Sequence, residues 1–230
     1  MVQQNALGER RTSVDAVFDF LYGEILSLNL RPGDKISEAE IAAKFGVSRQ
    51  PVRDAFSRLA NLDLLLIRPQ RATEVKRFST REITKSRFVR AAVEKEVLLR
   101  AALNCDAQGA ASLDAAIAAQ EKSIEDRNVE GFGALDYEFH KTLCAIAEAE
   151  FAFDVITTEK SKVDRLCMLG LSKEDRMPEL VADHRAIADA IKAHDAETAI
   201  KAGMLHLSRL DATIERISAI NASYFEPSED

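Results

Sequence analysis

The sequence predicts a mainly α-helical protein, with an N-terminal winged helix-turn-helix followed by an all-α bundle of six to seven helices. Three observations predict it. Only nine glycines and five prolines interrupt the 230 residues, and helical periods fill the chain after residue 80. Short helical patterns and a basic hairpin precede residue 78. The charge is also distributed unevenly along the chain. Residues 41–77 carry eight basic and three acidic side chains, whereas residues 79–230 carry 19 basic and 28 acidic ones.

The first two helices have clear boundaries. An apolar stripe predicts a helix over residues 13–28, which the turn sequence RPGD at 31–34 ends. Ser37 and Glu40 form a capping box, so a second, short helix begins there and ends before Gly46.

The third helix begins after Ser48, with Pro51 in its first turn, where a missing N–H costs nothing. Its apolar stripe is Val52, Ala55, Phe56 and Leu59. The polar side presents Arg49, Gln50 and Arg53 at the front of the helix. An α-helix fits the major groove of DNA, and arginine donates two hydrogen bonds to guanine there. Ser48 and the helix N-terminus suit a phosphate. The alternative is a solvated basic face.

Two short strands, at 64–67 and 74–76, complete the first domain. The tip between them carries Arg68 and Arg71, which we expect to follow the DNA backbone or enter the minor groove. Three helices and a hairpin in this order predict the winged helix-turn-helix. The expected domains are 1–77 for DNA binding, 78–222 for metal and effector binding and dimerisation, and a tail at 223–230.

This first third of the chain resembles a known family. The run E-x-x-I-A-x-x-F-G-V-S-R-Q-P-V-R-D-A-F-x-R-L at 38–59, followed by RPQRATEV at 68–75, is similar to the DNA-binding domain of GntR-family transcription factors. The resemblance implies operator contacts by Ser48, Arg49, Gln50 and Arg53. The family usually has glycine near the positions of Asp63 and Ala72.

Helical periods occupy the second domain. A capping box at Ser79 and Glu82 begins the first helix, and Asp195 caps the last. The predicted loops are 106–109, 127–131 and 172–178. The predicted helices are 80–107, 112–126, 132–149, 152–170, 178–193 and 196–222.

Four polar residues fall on the apolar stripes of three of these helices: Asp136 with His140, then His184, then His206. Burying them unpaired would cost about 1–3 kcal/mol each. Three neutral imidazoles and one carboxylate suit one divalent metal ion per chain, zinc and equally nickel, manganese or iron. The alternative is that each is a hydrogen-bonded core residue. His194 is read as a surface residue beside the cap.

A second resemblance covers this domain. D-x-x-F-H at 136–140, H-R-x-I-x-x-A-I at 184–191 and MLHL at 204–207 are similar to the FCD domain of the FadR-like branch of the same family. The resemblance implies that Asp136, His140, His184 and His206 hold one ion, often beside an organic acid. It also implies a homodimer on a pseudo-palindromic double-stranded DNA operator.

Two arginines are candidates for binding a small carboxylate effector. Arg90 forms an i, i+4 pair with Glu94, where the family has a similarly placed arginine, and Arg165 lies in the helix at 152–170. The alternative for each is an exposed salt bridge. We expect effector and metal to tighten the bundle and the linker at 75–80 to transmit the change.

Two other function classes stay open. A mononuclear metalloenzyme with a DNA-binding appendage is one, although the paired Glu-x-x-His motifs of a di-iron enzyme are absent and Glu138 is offset from the metal stripe. A constitutive DNA-binding protein with a structural metal is the other. The interpretation adopted is a regulator without catalytic residues.

The expected compartment is the cytoplasm. Cys105, Cys144 and Cys167 lie far apart without CxxC spacing, which fits a reducing environment. No signal segment or apolar run of membrane-spanning length is visible, so no membrane partner is expected.

Overall fold

The computed structural model describes residues 12–167 and 173–227. The side chains of residues 129, 130, 164, 165, 167 and 173–175 lie outside that description. The chain divides into two compact units. The first comprises the residues up to Phe78 together with those from Asn221 onward, and the second comprises Ser79–Ile220.

The first unit is a winged helix-turn-helix. Among the described residues, β1 (Lys35–Ile36), β2 (Leu65–Leu66) and β3 (Thr73–Val75) form one antiparallel sheet in the order β1-β3-β2, with Lys35 opposite Glu74 and Leu65 opposite Val75. The hairpin was predicted, whereas the short strand β1 was not. The elements are α1 (Ser13–Leu26), β1 (Lys35–Ile36), α2 (Glu38–Phe45), α3 (Arg49–Asn61), β2 (Leu65–Leu66) and β3 (Thr73–Val75).

Local side-chain chemistry sets the helix ends in this unit. Thr12 and Asp15 form a full capping box at the start of α1. The Ser37 hydroxyl accepts from the backbone N–H of Glu40 at the start of α2, as predicted. Gly46 ends α2 at φ 65°, a left-handed conformation that glycine adopts without a Cβ penalty. Helix α1 ends two residues earlier than expected, and Leu28 has a φ of 62°.

The core of this unit lies between α1 and α3. Both helices turn their predicted apolar stripes inward, and each large side chain of this kind contributes about 1.5–3 kcal/mol when fully buried. The fully buried residues of the two stripes are Val17, Leu21, Ile25, Val52, Ala55, Phe56 and Leu59.

The second unit is all-α. In the part of the chain that the structure describes it contains seven helices, which confirms the predicted fold class. Helix α4 packs against α6, α7, α8 and α9 and so lies at the centre of the bundle. The helices are α4 (Thr80–Asn104), α5 (Ala107–Glu125), α6 (Val129–Ile146), α7 (Phe151–Cys167), α8 (Lys173–Lys192), α9 (Ala196–Ser208) and α10 (Asp211–Ile220).

Several boundaries in the bundle correct the sequence prediction, since α5 begins at Ala107 and α6 at Val129, where loops over 106–109 and 127–131 were expected. Helix α8 already begins at Lys173, so Pro178 lies inside the helix and not in a loop. A proline this close to a helix start removes a single backbone hydrogen bond from the ladder. The single helix expected over 196–222 is broken at Arg209 and Leu210, where the Arg209 guanidinium is bound by carboxylates of α8.

The chain returns to the first unit after α10. Residues Ala222–Tyr224 form a short 3₁₀-helix, and Phe225 then forms a parallel β-bridge with Phe78. The Phe78 N–H donates to the Tyr224 carbonyl, and the Glu226 N–H donates to the Phe78 carbonyl, at 2.9 and 2.8 Å. No helix among the described residues is long and apolar enough to cross a membrane.

Candidate functional sites

The front of α3 presents the polar side chains that the sequence singled out. Ser48 occupies the N-cap position, but its hydroxyl makes no capping hydrogen bond, so it stays available to another partner. Arg49, Gln50 and Arg53 are exposed. Gln50 bonds to Asp54 on the same helix, at 2.9 Å.

Arg53 is anchored from α2. Its Nε donates to Glu38 Oε2 at 2.9 Å, while 55% of its side chain stays exposed. The pair fixes the direction of the guanidinium without removing it from the surface. Exposed ion pairs of this kind contribute at most about 1 kcal/mol, so Arg53 can exchange Glu38 for another anion at little cost.

The tip of the hairpin carries Arg68 and Arg71, both exposed. The turn closes through a hydrogen bond from the Arg71 N–H to the Arg68 carbonyl, at 3.3 Å. Asp63, where the family usually has glycine, has a φ of 61° and also pairs with Lys76. Ala72 has no positive φ, and the left-handed residue of the tip is Gln70, at 59°. Aspartate tolerates this conformation better than most residues, which explains the departure from glycine.

Three histidines converge inside the second unit. His140 of α6, His184 of α8 and His206 of α9 are buried, and each offers one ring nitrogen within 4.8 Å of the others. The His184 and His206 ring centroids are 4.7 Å apart, and His140 lies 5.6 and 5.7 Å from those two rings. Helical apolar stripes place all three side chains, because each faces the core from its own helix.

Each imidazole turns its Nδ1 towards an oxygen on a different helix. His184 Nδ1 lies 2.8 Å from Gln120 Oε1, a hydrogen bond that places the proton on Nδ1. His140 Nδ1 lies 3.3 Å from Glu94 Oε2, and His206 Nδ1 lies 3.5 Å from Asp183 Oδ2. These two contacts are electrostatic and not well-aligned hydrogen bonds, since both Nδ1 atoms have no partner of hydrogen-bond geometry.

The oxygen facing His206 belongs to Asp183, which is itself held by an arginine. Arg209 donates to both Asp183 oxygens, at 2.7 and 2.9 Å. Burial would raise the pKa of Asp183, but the contacts with His206 and Arg209 lower it to about 2. The carboxylate is therefore charged at neutral pH and orients the imidazole.

Electrostatics keep two of the imidazoles neutral. Burial lowers the pKa of His184 well below its usual value of 6.5, and the neighbouring His206 lowers it further. Burial likewise lowers the pKa of His206, although its contact with Asp183 acts in the opposite direction. Neutral imidazole is the form that binds a metal ion.

The donor set fits a divalent metal ion. The His184 Nε2 atom is buried and lacks a hydrogen-bond partner, and such an orphaned acceptor is costly unless something binds it. A histidine that binds a metal ion through one ring nitrogen usually has an oxygen next to its other ring nitrogen. One group competes, because Arg90 Nη2 lies 3.2 Å from His140 Nε2.

Asp136, the fourth predicted ligand, lies beside the three histidines. Its Oδ1 is 3.6 Å from His184 Nε2, and its Oδ2 is 3.1 Å from Lys160 Nζ. Burial would raise the pKa of Asp136, but the charges of Lys160 and of the histidines hold it below its usual range. Among the described residues, the group of ligand atoms that lie within 4.8 Å of one another consists of the three imidazoles, and Asp136 is not part of it.

A cavity of about 170 Å³ adjoins this cluster through Arg90. Arg90 is buried and bonds to Glu94, so the alternative of an exposed salt bridge is wrong. Burial would raise the pKa of Glu94, but the Arg90 charge and His140 lower it below its usual range. The side chain of Arg165, the second effector candidate, lies outside the described residues. The cavity is lined by Ser86, Arg87, Arg90, Ala91, Glu159, Val163, Met204, Leu207, Ser208 and Leu210.

The remaining candidates lie away from the cluster. His194 is exposed, as expected, and its Nδ1 lies 2.8 Å from the Ala102 carbonyl. Glu138 is exposed and pairs with Lys141. The sequence prediction missed the oxygens of Gln120 and Asp183, although Asp183 directly precedes a predicted ligand on the same buried stripe.

Comparisons with known proteins identify a family model for each of the two units. Residues 14–75 match the model of the bacterial regulatory proteins of the gntR family, and residues 87–209 match the FCD domain model. The chain belongs to the GntR family. It is a transcriptional regulator with a C-terminal FCD domain, and the curated relatives are regulators and not enzymes.

Relatives of similar length match over nearly the whole chain. The HTH-type transcriptional repressor RspR of Escherichia coli K12 is 31% identical over 209 residues, covering 91% of this chain and 92% of its own. A probable D-xylose utilization operon transcriptional repressor of Paenarthrobacter nicotinovorans is 29% identical over 216 residues, with 93% and 94% covered.

Solved structures share the fold at lower identity. E. coli McbR/YncC superimposes with a TM-score of 0.66 at 18% identity, covering 89% of this chain and 98% of its own. A putative GntR transcriptional regulator from Rhodococcus sp. RHA1 gives the same TM-score at 20% identity, with 88% and 97% covered.

Proposed function

We propose that this GntR-family member is a sequence-specific repressor whose affinity for its operator is set by a small organic acid bound beside a divalent metal ion. The observation that carries the proposal is the convergence of three buried imidazoles, each backed by an oxygen from another helix. A purely structural core would bury apolar side chains there at lower cost. Repression is also the activity named for the relatives from E. coli and P. nicotinovorans.

The DNA contacts follow from the exposed surface of the first unit. Arg49 and Arg53 read base edges in the major groove, Gln50 assists them, and Ser48 binds a phosphate with the N-terminus of α3. Arg68 and Arg71 at the hairpin tip contact the backbone or the minor groove. A homodimer presents two such helices to the half-sites of a pseudo-palindromic operator in the cytoplasm.

His140, His184 and His206 hold the ion, with Asp136 as the fourth ligand. Nitrogen-rich sites of this kind suit zinc, and also nickel, manganese or iron. A bound ion would supply a positive charge that attracts one oxygen of the effector. Gln120, Glu94 and Asp183 face the Nδ1 atoms of the imidazoles, which leaves Nε2 for the ion; at His140 the ion would displace Arg90 Nη2 from Nε2.

The effector is a small carboxylate. The cavity of about 170 Å³ is below the usual size of drug-binding pockets. Arg90 lies between this cavity and the histidines, so its guanidinium can bind a carboxylate whose other end reaches the ion. Val163, Met204 and Leu207 would cover the apolar part of the acid. Arg165 is a second candidate for binding it.

Signalling is a population shift. The acid bridges helices that the cluster already brings together, and so favours one arrangement of the bundle over another. The linker at 75–80 carries the change to the DNA-binding units of the dimer, which alters the spacing of the two α3 helices. By linkage, operator DNA then changes the affinity for the acid by the same factor.

A DNA-binding titration tests the proposal. Operator fragments are selected from the genomic DNA of the source organism, and their affinity is measured by fluorescence anisotropy with acetate, lactate, malate or citrate in turn. At least one acid should change the affinity by about fivefold or more. The Arg90→Gln variant should lose the response, whereas Arg185→Gln, which changes an exposed arginine paired with Glu121, should keep it. Indifference to every acid would refute the effector part of the proposal.

A further inference from the structure

Lys160 of α7 is a partly buried cation next to the histidine cluster. Only 12% of its side chain is exposed, and its Nζ lies 3.1 Å from Asp136 Oδ2. The ammonium also lies 4.0 Å from the centre of the Tyr137 ring, a cation–π contact. Lysine is rarely buried to this extent unless a carboxylate neutralises it. Lys160 and Asp136 therefore form a pair at the edge of the proposed ligand set.

The other carboxylates around the cluster are also matched by cations. Glu94, behind His140, pairs with Arg90, and both side chains are less than 10% exposed. Asp183, behind His206, pairs with Arg209. Each of these carboxylates therefore already has a cation beside it before any metal ion binds.

Lys160 places its ammonium against a proposed ligand oxygen. Asp136 turns Oδ1 towards His184 Nε2, at 3.6 Å, and Oδ2 towards the ammonium. An ion bound to Oδ1 would share one carboxylate with Lys160 and would be repelled by it. In a buried site this repulsion is screened far less than in water.

We propose that Lys160 competes with the metal ion for the Asp136 carboxylate and thereby weakens metal binding at the histidine cluster. The inference rests on the proposed function, because it takes the cluster to bind a divalent ion. It adds a residue that sets the affinity of the site without being a ligand. Lys160 keeps the ion exchangeable, so occupancy follows the metal supply.

The test measures zinc affinity directly. The full chain is stripped with a chelator, and zinc binding is measured at pH 7.5 in competition with a chromogenic chelator. Lys160→Gln removes the charge but keeps a hydrogen-bond donor for Asp136. It should bind zinc about tenfold more tightly than the parent, within the range typical of groups next to metal ligands. Lys160→Arg keeps the charge and should stay within about threefold of the parent.

A matched control and a second readout separate this role from a structural one. Lys141→Gln removes an exposed lysine that pairs with Glu138 on α6, and zinc affinity should not change. Thermal melting is recorded with chelator and with zinc for each protein. Lys160→Gln should melt lower than the parent in chelator, because Asp136 loses its cation, and should gain more from zinc than the parent does.

The outcomes are distinct. Tighter zinc binding in Lys160→Gln, with Lys160→Arg and Lys141→Gln near the parent, supports the inference. Equal or weaker zinc binding in Lys160→Gln overturns the inference about Lys160. In that case, zinc binding by the parent still supports the proposed function. Absence of zinc binding in every protein overturns both.

Discussion

The buried imidazoles show how a position in the core determines the chemistry of a residue. Burial keeps His184 and His206 neutral by lowering the pKa of each. The Gln120 oxygen then places the proton of His184 on Nδ1. Neutral imidazoles keep a lone pair for an ion even below a pH of about 6.5, where solvated histidines are mostly protonated. The same burial makes the folded protein sensitive to acid.

Acid should destabilise the second unit before any carboxylate titrates. The unfolded chain takes up protons on His184 and His206 below a pH of about 6.5, whereas the folded chain resists this. Stability is therefore complete above that pH and falls as the pH decreases from 6.5 to 5, by up to about 1.4 kcal/mol per pH unit for each imidazole.

Urea unfolding in the presence of a chelator at pH 7.5, 6.5, 5.5 and 5.0 measures this slope. The His184→Gln variant should lose the part of this slope that one imidazole contributes. A slope of zero, or greater stability at pH 5.0 than at 7.5, would show that the histidines are not kept neutral by burial.

Arg49 should contribute strongly to the affinity for operator DNA. It makes no hydrogen bond or ion pair with another described residue, so its guanidinium is available at the front of α3. Arg49→Ala should weaken operator binding by about 1–3 kcal/mol and relax the preference for one base.

Anisotropy titrations of operator variants at constant salt measure both effects. Arg100→Ala, which removes an arginine that pairs with Glu96 in the second unit, is the control and should bind as the parent does. Equal affinities for Arg49→Ala and the parent would remove Arg49 from the interface.

At the scale of elements, capping residues predicted the starts of helices better than apolar periodicity did. Ser37, Ser79 and Asp195 cap helices at the expected residues, since a side-chain oxygen three residues before a free N–H is visible in sequence. Strand β1 was missed because its two residues, 35 and 36, are too short for alternation to show. The break between α9 and α10 was also missed, because Arg209 is held there by α8, a contact between helices that no local pattern records.

Glycine positions in the bundle test the packing of these helices. A Cβ at Gly203 of α9 would come 2.3 Å from Leu98 Cδ1, and Leu98 is itself buried in α4. Gly203→Ala should therefore destabilise the protein by about 1–3 kcal/mol.

Gly133 of α6 gives the matched comparison. A Cβ there would meet no atom within 4 Å, so Gly133→Ala should stabilise the protein by up to about 1 kcal/mol through helix propensity. Urea unfolding of both variants checks the opposite signs. Stabilisation by Gly203→Ala would contradict the close packing of α4 on α9.

At the scale of the whole molecule, the sequence located the cluster but not its surroundings. Polar residues on apolar helical stripes singled out His140, His184 and His206, and the structure brings these three together. Glu94 and Gln120, which face two of the rings, come from other helices. Their approach depends on how the bundle packs, and nothing in their local sequence records it.

Residues after α10 pack against the last residues of the first unit's N-terminal segment. Phe225 is buried against Phe78, with ring centroids 5.5 Å apart, and backbone bonds join the two segments. Phe225→Ala should cost the first unit about 3 kcal/mol, as for other buried phenylalanines. Phe151→Ala, which truncates a ring that is 75% exposed, should have little effect.

Hydrogen exchange of peptides covering residues 35–78 measures this directly. Exchange there should accelerate in Phe225→Ala and not in Phe151→Ala. Unchanged protection in both variants would mean that the C-terminal segment does not stabilise the first unit.

Operator affinity with and without metal tests the central claim most directly. The parent protein and the double variant His184→Ala/His206→Ala are each titrated with operator DNA after chelation and after zinc is restored, with His194→Ala as the control histidine. Zinc should change the affinity of the parent and of His194→Ala by about fivefold or more, and should leave the affinity of the double variant unchanged. Equal affinities of the parent with and without zinc would contradict the control of DNA binding by the histidine cluster.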